Sequence, residues 1–368
     1  MKVLLIGGTG VISTDVCKAA IEKEYDTYIV NRGNRKNSIN EKATLIVADV
    51  KNESERYIKE KVGNTKYDVV VDFLSYNTNQ LSKMLNCVKC NQYIFISTAT
   101  IYDNHNNGKP YTEIDSKGNK GWKYCADKYE CELLLKKIAA EKCINYTIIR
   151  PYVTFNMTRF PYQIAPVEYY TIVDRIFREK PIAICPNEYT TVTDSRDLAK
   201  GIVGLFGNKD AFNEDFHITS DKTTTWKHIA ELLANKSGVK CHFVEVSRDS
   251  IEKMTNTVID IPEIILDKSR NMKFDNSKIK RAVTGYNAEL SIDDSIGEIY
   301  DYFKSTNHRI NYLWAGCLDR ILYQYGVNCD GNYKFENTKD KLKYKIGYSA
   351  LLCWLYMTIK RIRQKLRR

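Results

Sequence analysis

At 368 residues the chain exceeds one typical domain, and its 43% hydrophobic and 27% charged composition excludes a disordered chain and an integral membrane protein. The formal charge of +11 suggests a nucleic-acid binder until it is located: residues 309–368 carry 13 Lys and Arg against 4 Asp and Glu, a net of +9, which leaves +2 on residues 1–308. A nearly neutral body needs no polyanion, so no nucleic-acid partner is expected.

The first 150 residues alternate short apolar runs with longer amphipathic stretches. Strands are predicted over residues 3–6, 27–30, 44–47, 69–73, 93–96 and 146–149, and helices over 12–23, 53–62, 79–89 and 123–142. Six strands with five crossovers predict an α/β chain with a Rossmann-type doubly wound parallel sheet: a dinucleotide-binding domain over 1–152, with further elements from about 190–220. The opening apolar run is too short for a secretory segment, which predicts a cytoplasmic chain. Eleven cysteines, scattered and odd in number, fit reduced thiols. Cys87 and Cys90 form the one close pair, without a second such pair or a nearby histidine, so they read as packing and no metal is expected.

Beyond residue 152 the alternation weakens and aromatic, proline-containing stretches such as Phe160-Pro161-Tyr162 appear. Residues 153–305 are read mainly as a smaller substrate-binding region, with a helix over 226–236. Residues 306–368 read as a basic C-terminal helical extension. There, 346–359 are 14 uncharged residues followed by Lys360, Arg361, Arg363, Lys365, Arg367 and Arg368. Fourteen residues fall short of the roughly 20 that span a bilayer. Two readings stand level: 346–368 lie on the inner membrane surface, held by anionic lipid, or the helix docks on the body.

The chemistry begins at Gly7-Gly8-Thr9-Gly10-Val11-Ile12-Ser13, where glycines follow an apolar strand and open a helix. Such a turn lets the backbone approach a pyrophosphate, which then sits on the free N–H groups of the helix start. Some twenty residues on, Val30-Asn31-Arg32-Gly33 lacks the acid that would bind a ribose 2'-hydroxyl. Arg32 and Arg35 suit a 2'-phosphate instead, so the NAD(P) expectation tips towards NADP. Tyr124 and Lys128 form a Tyr-x-x-x-Lys pair that shares one helix face. A phenol whose ordinary pKa is near 10 needs a neighbouring ammonium to act as a base at neutral pH.

These features resemble the extended, or atypical, short-chain dehydrogenase/reductase superfamily, specifically its NAD-dependent epimerase/dehydratase family. Ser13 departs from the family's third glycine, where a small residue suffices for helix-to-strand packing. The resemblance implies that Gly7, Thr9, Gly10, Val11, Ile12, Asn31 and Arg32 contact the cofactor, that Asp49 and Val50 contact adenine, and that Phe73, Leu74 and Ser75 pass its diphosphate and ribose. The stretch around Ser97-Thr98 resembles the Ser/Thr motif about 25 residues before the catalytic tyrosine, and Thr98 lies 26 before Tyr124. Thr98, Tyr124 and Lys128 are therefore the expected catalytic residues, with Lys128 also holding the nicotinamide ribose. Ser97, Thr100 and Arg270 are candidate substrate contacts.

Later likenesses, at Ile149-Arg150-Pro151, from Val192 to Ala199, at Phe216-His217-Ile218 and from Phe274 to Lys278, carry the resemblance to about residue 305. The family's usual substrate is a nucleotide-diphosphate sugar. Its dehydratases and decarboxylases carry acids after the catalytic Thr, where this chain has Ala99-Thr100, so an epimerase or a reductase is expected. The arginine that clamps the sugar-nucleotide diphosphate is replaced by Glu188-Tyr189-Thr190-Thr191, with Arg270, Arg175 and Lys268 as substitutes. His217, in an apolar strand, reads as a core histidine. A homodimer paired through two long helices is the family habit. The competing reading is a non-catalytic, cofactor-sensing or RNA-binding atypical member.

Overall fold

A computed structural model describes residues 1–34, 41–104, 108–305, 307–329 and 333–365, the side chains of 364 and 365 excepted. The chain runs β1 (Lys2–Ile6), α1 (Val11–Glu22), β2 (Asp26–Asn31), β3 (Thr44–Val47), α2 (Glu55–Val62), β4 (Lys66–Asp72), α3 (Thr78–Cys87), β5 (Lys89–Ile96), α4 (Lys123–Lys142) and β6 (Asn145–Pro151). It continues through β7 (Thr154–Phe155), α5 (Tyr170–Phe177), β8 (Ile182–Ile184), β9 (Thr193–Asp194), α6 (Ser195–Gly204), β10 (Glu214–Ile218), α7 (Trp226–Ser237) and β11 (Phe243–Glu245). Then come α8 (Arg248–Glu252), α9 (Ile261–Glu263), α10 (Ser277–Ala282), α11 (Ile292–Ser305), α12 (Tyr312–Gln324), α13 (Thr338–Tyr348) and α14 (Ala350–Lys365). Two compact units result, one of Met1–Asn156, Thr191–Thr223 and Met272–Ser291, the other of Met157–Thr190, Thr224–Asn271 and Ile292–Arg368.

The first unit is built on a seven-stranded sheet, order β10-β6-β5-β4-β1-β2-β3, with every pairing parallel. Strand side chains alternate between two buried faces, which is why the strands read as unbroken apolar runs. Val3, Leu5, Val69, Val71 and Ile94 pack against Val16 and Ala20 of α1 and Leu198 and Ile202 of α6. Leu4, Ile6, Val70, Phe95 and Ile148 pack on the opposite face against Ile58 of α2, Leu81 and Leu85 of α3 and Leu135 of α4. Strand order reverses between β1 and β4, and ligands of doubly wound sheets bind at the carboxyl ends of strands flanking such a point.

Two expectations shift. The helix predicted over 79–89 ends at Cys87, and β5 starts at Lys89, four residues before the predicted strand. Polar residues hide that start: buried Gln92 donates to Thr147 Oγ1 (2.9 Å) and the Leu205 carbonyl (3.0 Å) and accepts from the Gly207 amide (2.8 Å). Near the carboxyl end of β6, Arg150 is fully buried and forks onto Glu132, Nε to Oε1 at 2.9 Å and Nη2 to Oε2 at 2.7 Å, with Asp215 as a further partner. His217 is also fully buried, its Nδ1 3.2 Å from Tyr102 Oη and its Nε2 2.6 Å from the Asp275 carbonyl oxygen. Burial pushes its pKa down to about 4 against the opposing pull of that carbonyl, as befits a core histidine.

In the second unit β8 and β11 form a parallel pair, and the C-terminal helices are built in rather than appended. Arg175 of α5, fully buried, donates to Asp319 Oδ1 of α12 (2.6 Å) and to Tyr333 Oη (2.9 Å), while Tyr344 of α13 donates to Asp319 Oδ2 (2.8 Å). Helices α12 and α13 cross at glycines: a Cβ on Gly316 would lie 2.2 Å from the Tyr344 carbonyl oxygen, and one on Gly347 2.0 Å from that of Leu313. Arg175 and Lys268, both considered as diphosphate clamps, are committed internally, Lys268 to Glu263 at 2.8 Å.

Candidate active site

The turn after β1 is a backbone device. Gly7 (φ +125°) and Gly8 (φ +68°) occupy conformations that L side chains rarely adopt, and a Cβ on Gly8 would sit 2.3 Å from Ile29 Cγ2. Gly10 is different. Its φ of −95° and ψ of 179° suit any residue, and a Cβ there would meet only Ser13 Oγ, at 3.4 Å. Nothing among the described residues requires glycine at position 10. Ser13 accepts the Gly10 amide proton (Oγ at 2.8 Å), so the irregular serine ties the turn to α1 as well as packing in the third-glycine position. Half-buried Thr9, Val11 and Ile12 complete the turn, and the first N–H groups of α1 point out of the helix start, as at any N-terminus.

Asn31 ties two turns together, its Nδ2 donating to the Gly7 carbonyl (3.3 Å) and its Oδ1 accepting from the Gly33 amide (2.7 Å). Arg32, next along, is exposed. Against desolvation, hydrogen bonds from Asn52 and the Lys51 amide, with the Arg32 charge as the smallest contribution, hold the Asp49 carboxyl below its usual range. Arg35 lies outside the described residues. Val50 is buried and its carbonyl accepts from Lys83 Nζ (3.0 Å).

At the end of β4, Asp72 is fully buried and organises the next loop. One carboxylate oxygen accepts from the Leu74 (2.9 Å) and Ser75 (3.0 Å) amides, the other from Tyr93 Oη (2.7 Å). Phe73 and Leu74 thereby close against the β1 turn, 3.4 and 3.3 Å from where a Gly7 Cβ would be. The hydroxyls of Ser75 and Ser97 are buried and have no hydrogen-bond partner among the described residues. Such orphaned donors are rare in a finished core and suit a site completed by a polar ligand.

Lys128, on α4, is only 2% exposed. Its Nζ donates to the carbonyls of Ser75 (2.8 Å) and Ile96 (2.7 Å), and it lies 4.7 Å from the ring centres of both Tyr76 and Phe95. Burial lowers its pKa to about 8, against the pull of the Asp72 carboxylate. Tyr124, in the first turn of the same helix, is half-buried with its ring centre 5.0 Å from that of Trp122 and 6.3 Å from that of Tyr76. Thr98, just past β5, has Oγ1 3.0 Å from Thr100 Oγ1 and accepts the Thr100 amide proton (3.3 Å). Thr100 in turn lies 3.0 Å from Cys125 Sγ.

The structure thus gathers the ends of β1, β4 and β5 and the start of α4 around one place in the first unit. Arg270 belongs to the second unit, where it is buried and donates through Nη1 to the Leu266 carbonyl (3.1 Å). Sequence reasoning passed over Gly8, Asp72, Tyr76 and Trp122. Gly8 stands in the glycine turn itself, and Asp72 has a trace as a carboxylate closing the apolar run Val69-Val70-Val71.

Comparison with known proteins agrees with this geometry. The profile of the NAD dependent epimerase/dehydratase family matches residues 3–218. A curated relative, the chloroplast stem-loop binding protein of 41 kDa b of Arabidopsis thaliana, is 23% identical over 254 residues, 64% of this chain, and the match spans 63% of that protein's length. Among solved structures, a UDP-glucuronic acid 4-epimerase from Bacillus cereus in complex with NAD is 18% identical with a TM-score of 0.65, over 83% of this chain and 99% of that one. An epimerase from Methanothermobacter thermautotrophicus is 14% identical with a TM-score of 0.67, over 83% of this chain and 92% of that one. A strand-order reversal flanked by a glycine turn, with the family profile lying across both, leaves one assignment: the chain belongs to the NAD dependent epimerase/dehydratase family.

Proposed function

We propose that the chain is an NAD(P)-dependent epimerase or reductase acting on a nucleotide-diphosphate sugar or a related alcohol or carbonyl compound. The observation that carries the reading is the buried Lys128. Folding tolerates a buried ammonium at a cost, and two of its three protons are spent on the Ser75 and Ile96 carbonyls, which leaves one donor for a ligand. Tyr124 stands one helical turn earlier on the same face.

In this reading Gly7, Thr9, Gly10, Val11 and Ile12 hold the cofactor diphosphate, while Asp49, Val50, Phe73, Leu74 and Ser75 line its adenosine and ribose path. The bound nicotinamide supplies the acceptor and donor for the carbon-bound hydride. Tyr124 Oη takes the hydroxyl proton of the substrate and returns it in the reverse direction, with Thr98 Oγ1 holding the same oxygen. Lys128 orients the nicotinamide ribose, and its charge favours the phenolate of Tyr124. Ala99-Thr100, where dehydratases of the family carry acids, favours epimerisation or simple reduction. The UDP-sugar epimerases among similar structures support a sugar-nucleotide substrate, and exposed Arg32 supports NADP over NAD.

The test is Tyr124→Phe, assayed against a set of UDP-sugars and their keto forms with both nicotinamide cofactors. Turnover should fall by about 10²–10⁴ while cofactor affinity stays unchanged; a fully active variant discards the mechanism. A second reading, RNA binding, is favoured by the stem-loop-binding relative. It would replace the first if wild type turned over no nucleotide sugar and a chain with the exposed Lys360, Arg361 and Arg363 changed to Gln still bound structured RNA with the steep salt dependence of phosphate contacts.

A further inference from the structure

We infer that α14 is a membrane-surface helix that seats the second unit on an anionic lipid bilayer. The helix rests on its neighbours through a single fully buried residue, Cys353, whose Sγ lies 3.9 Å from that of Cys317 in α12. The opposite face is apolar and bare. Leu351, Leu355, Ile359 and Ile362 recur at i, i+4, i+8 and i+11, so they form one stripe directed away from Cys353, and each is 41–66% exposed. Trp354, 48% exposed, and exposed Leu352 and Tyr356 widen the stripe. A water-facing helix gains nothing from such a surface, whereas Trp and Tyr beside an aliphatic stripe suit the boundary between acyl chains and headgroups.

Charge selects the occupant. Lys360, Arg361 and Arg363 follow the stripe on the same helix and are exposed, as are Lys339, Lys341 and Lys345 on α13. None of these six has an acidic partner within 4.0 Å among the described residues. A second protein would need a complementary acidic groove, whereas an anionic bilayer meets both the stripe and the cations flanking it. No helix among the described residues is long and apolar enough to cross a membrane, so α14 lies in the interface plane.

The full-length chain should float with phosphatidylcholine vesicles containing about 30% phosphatidylserine at least about tenfold better than with phosphatidylcholine alone, and should be released as salt rises. Leu355→Glu with Ile359→Glu should reduce binding at least about tenfold, and so should Lys360→Glu with Arg361→Glu and Arg363→Glu. All five side chains are exposed, so thermal unfolding of the variants should match wild type. Should a variant fail to fold, quenching of Trp354 by bromolipid in the wild-type chain, lost in Trp354→Phe, reads the same contact. Equal recovery from neutral and anionic vesicles, absence of bromolipid quenching, or a dimer that the Leu355/Ile359 pair dissociates in the absence of any vesicle binding would each overturn the inference.

Discussion

Replacing Lys128 by Met tests the core of the site without knowledge of the substrate. The folded-state pKa of about 8, lowered from an ordinary 10.5, means that between these values the unfolded chain binds a proton the folded chain lacks. Stability therefore rises with pH across this window. Burial of the charge costs about 3 kcal/mol at pH 8 and below, about 2 at pH 9 and about 1 at pH 10. Lys180 in the second unit, also lowered to about 8 by burial, adds a slope of the same sign, and buried Tyr93 and Tyr162, raised by burial, pull stability down above pH 10. The difference between wild type and Lys128→Met removes both contributions. In urea unfolding, wild type should gain about 1 kcal/mol on the variant between pH 7 and 9, and about 2 by pH 10. The offset at pH 7 is not diagnostic, because Met relieves the buried charge but strands two carbonyls at about 1–3 kcal/mol each. Parallel pH profiles would refute the buried ammonium and with it the observation on which the functional reading rests.

The two kinds of glycine in the turn should separate in experiment. Gly8→Ala, forced to φ +68° with its Cβ 2.3 Å from Ile29 Cγ2, should lose about 2–4 kcal/mol of stability in thermal or urea unfolding. Gly10→Ala should unfold within about 0.5 kcal/mol of wild type yet bind NAD(P)H at least about tenfold more weakly by fluorescence titration, and unchanged affinity would remove the diphosphate from this turn. Arg32→Ala should weaken NADPH about tenfold or more and leave NADH unaffected. An equal effect on both cofactors would withdraw the NADP preference.

How much of this was legible depended on whether a residue's role was local. The strands β1, β2, β4 and β6 are visible because both faces of the sheet are covered, which makes Leu4 and Leu5 alike apolar although they point to opposite clusters. Tyr124 and Lys128 are legible because helical spacing alone sets them on one face. Residues whose meaning is tertiary stayed hidden. Lys89 reads as helix end and 90–92 as a connection because nothing in the sequence announces that Gln92 will find Thr147, Leu205 and Gly207. The tie that the Asn31 side chain makes to Gly7, 24 residues earlier, is likewise unannounced by its place in the sequence.

The same distinction sorts the charged groups that sequence reasoning offered as ligand clamps. Arg175 and Lys268 are both cations in the right part of the chain, and each is closed by a carboxylate, Arg175 by the buried Asp319 and Lys268 by Glu263. A guanidinium paired in this way cannot also grip a diphosphate, since stripping it from its partner would leave a buried charge alone at a cost of about 3–5 kcal/mol. Lys128 differs from them in one respect that supports its proposed role. Its partners are two neutral carbonyls rather than a carboxylate, so its charge is held in place without being neutralised. In the proposed reading, a positive charge held in that condition favours an adjacent phenolate and an anionic cofactor. These are the properties that a Tyr124 base requires of its neighbour.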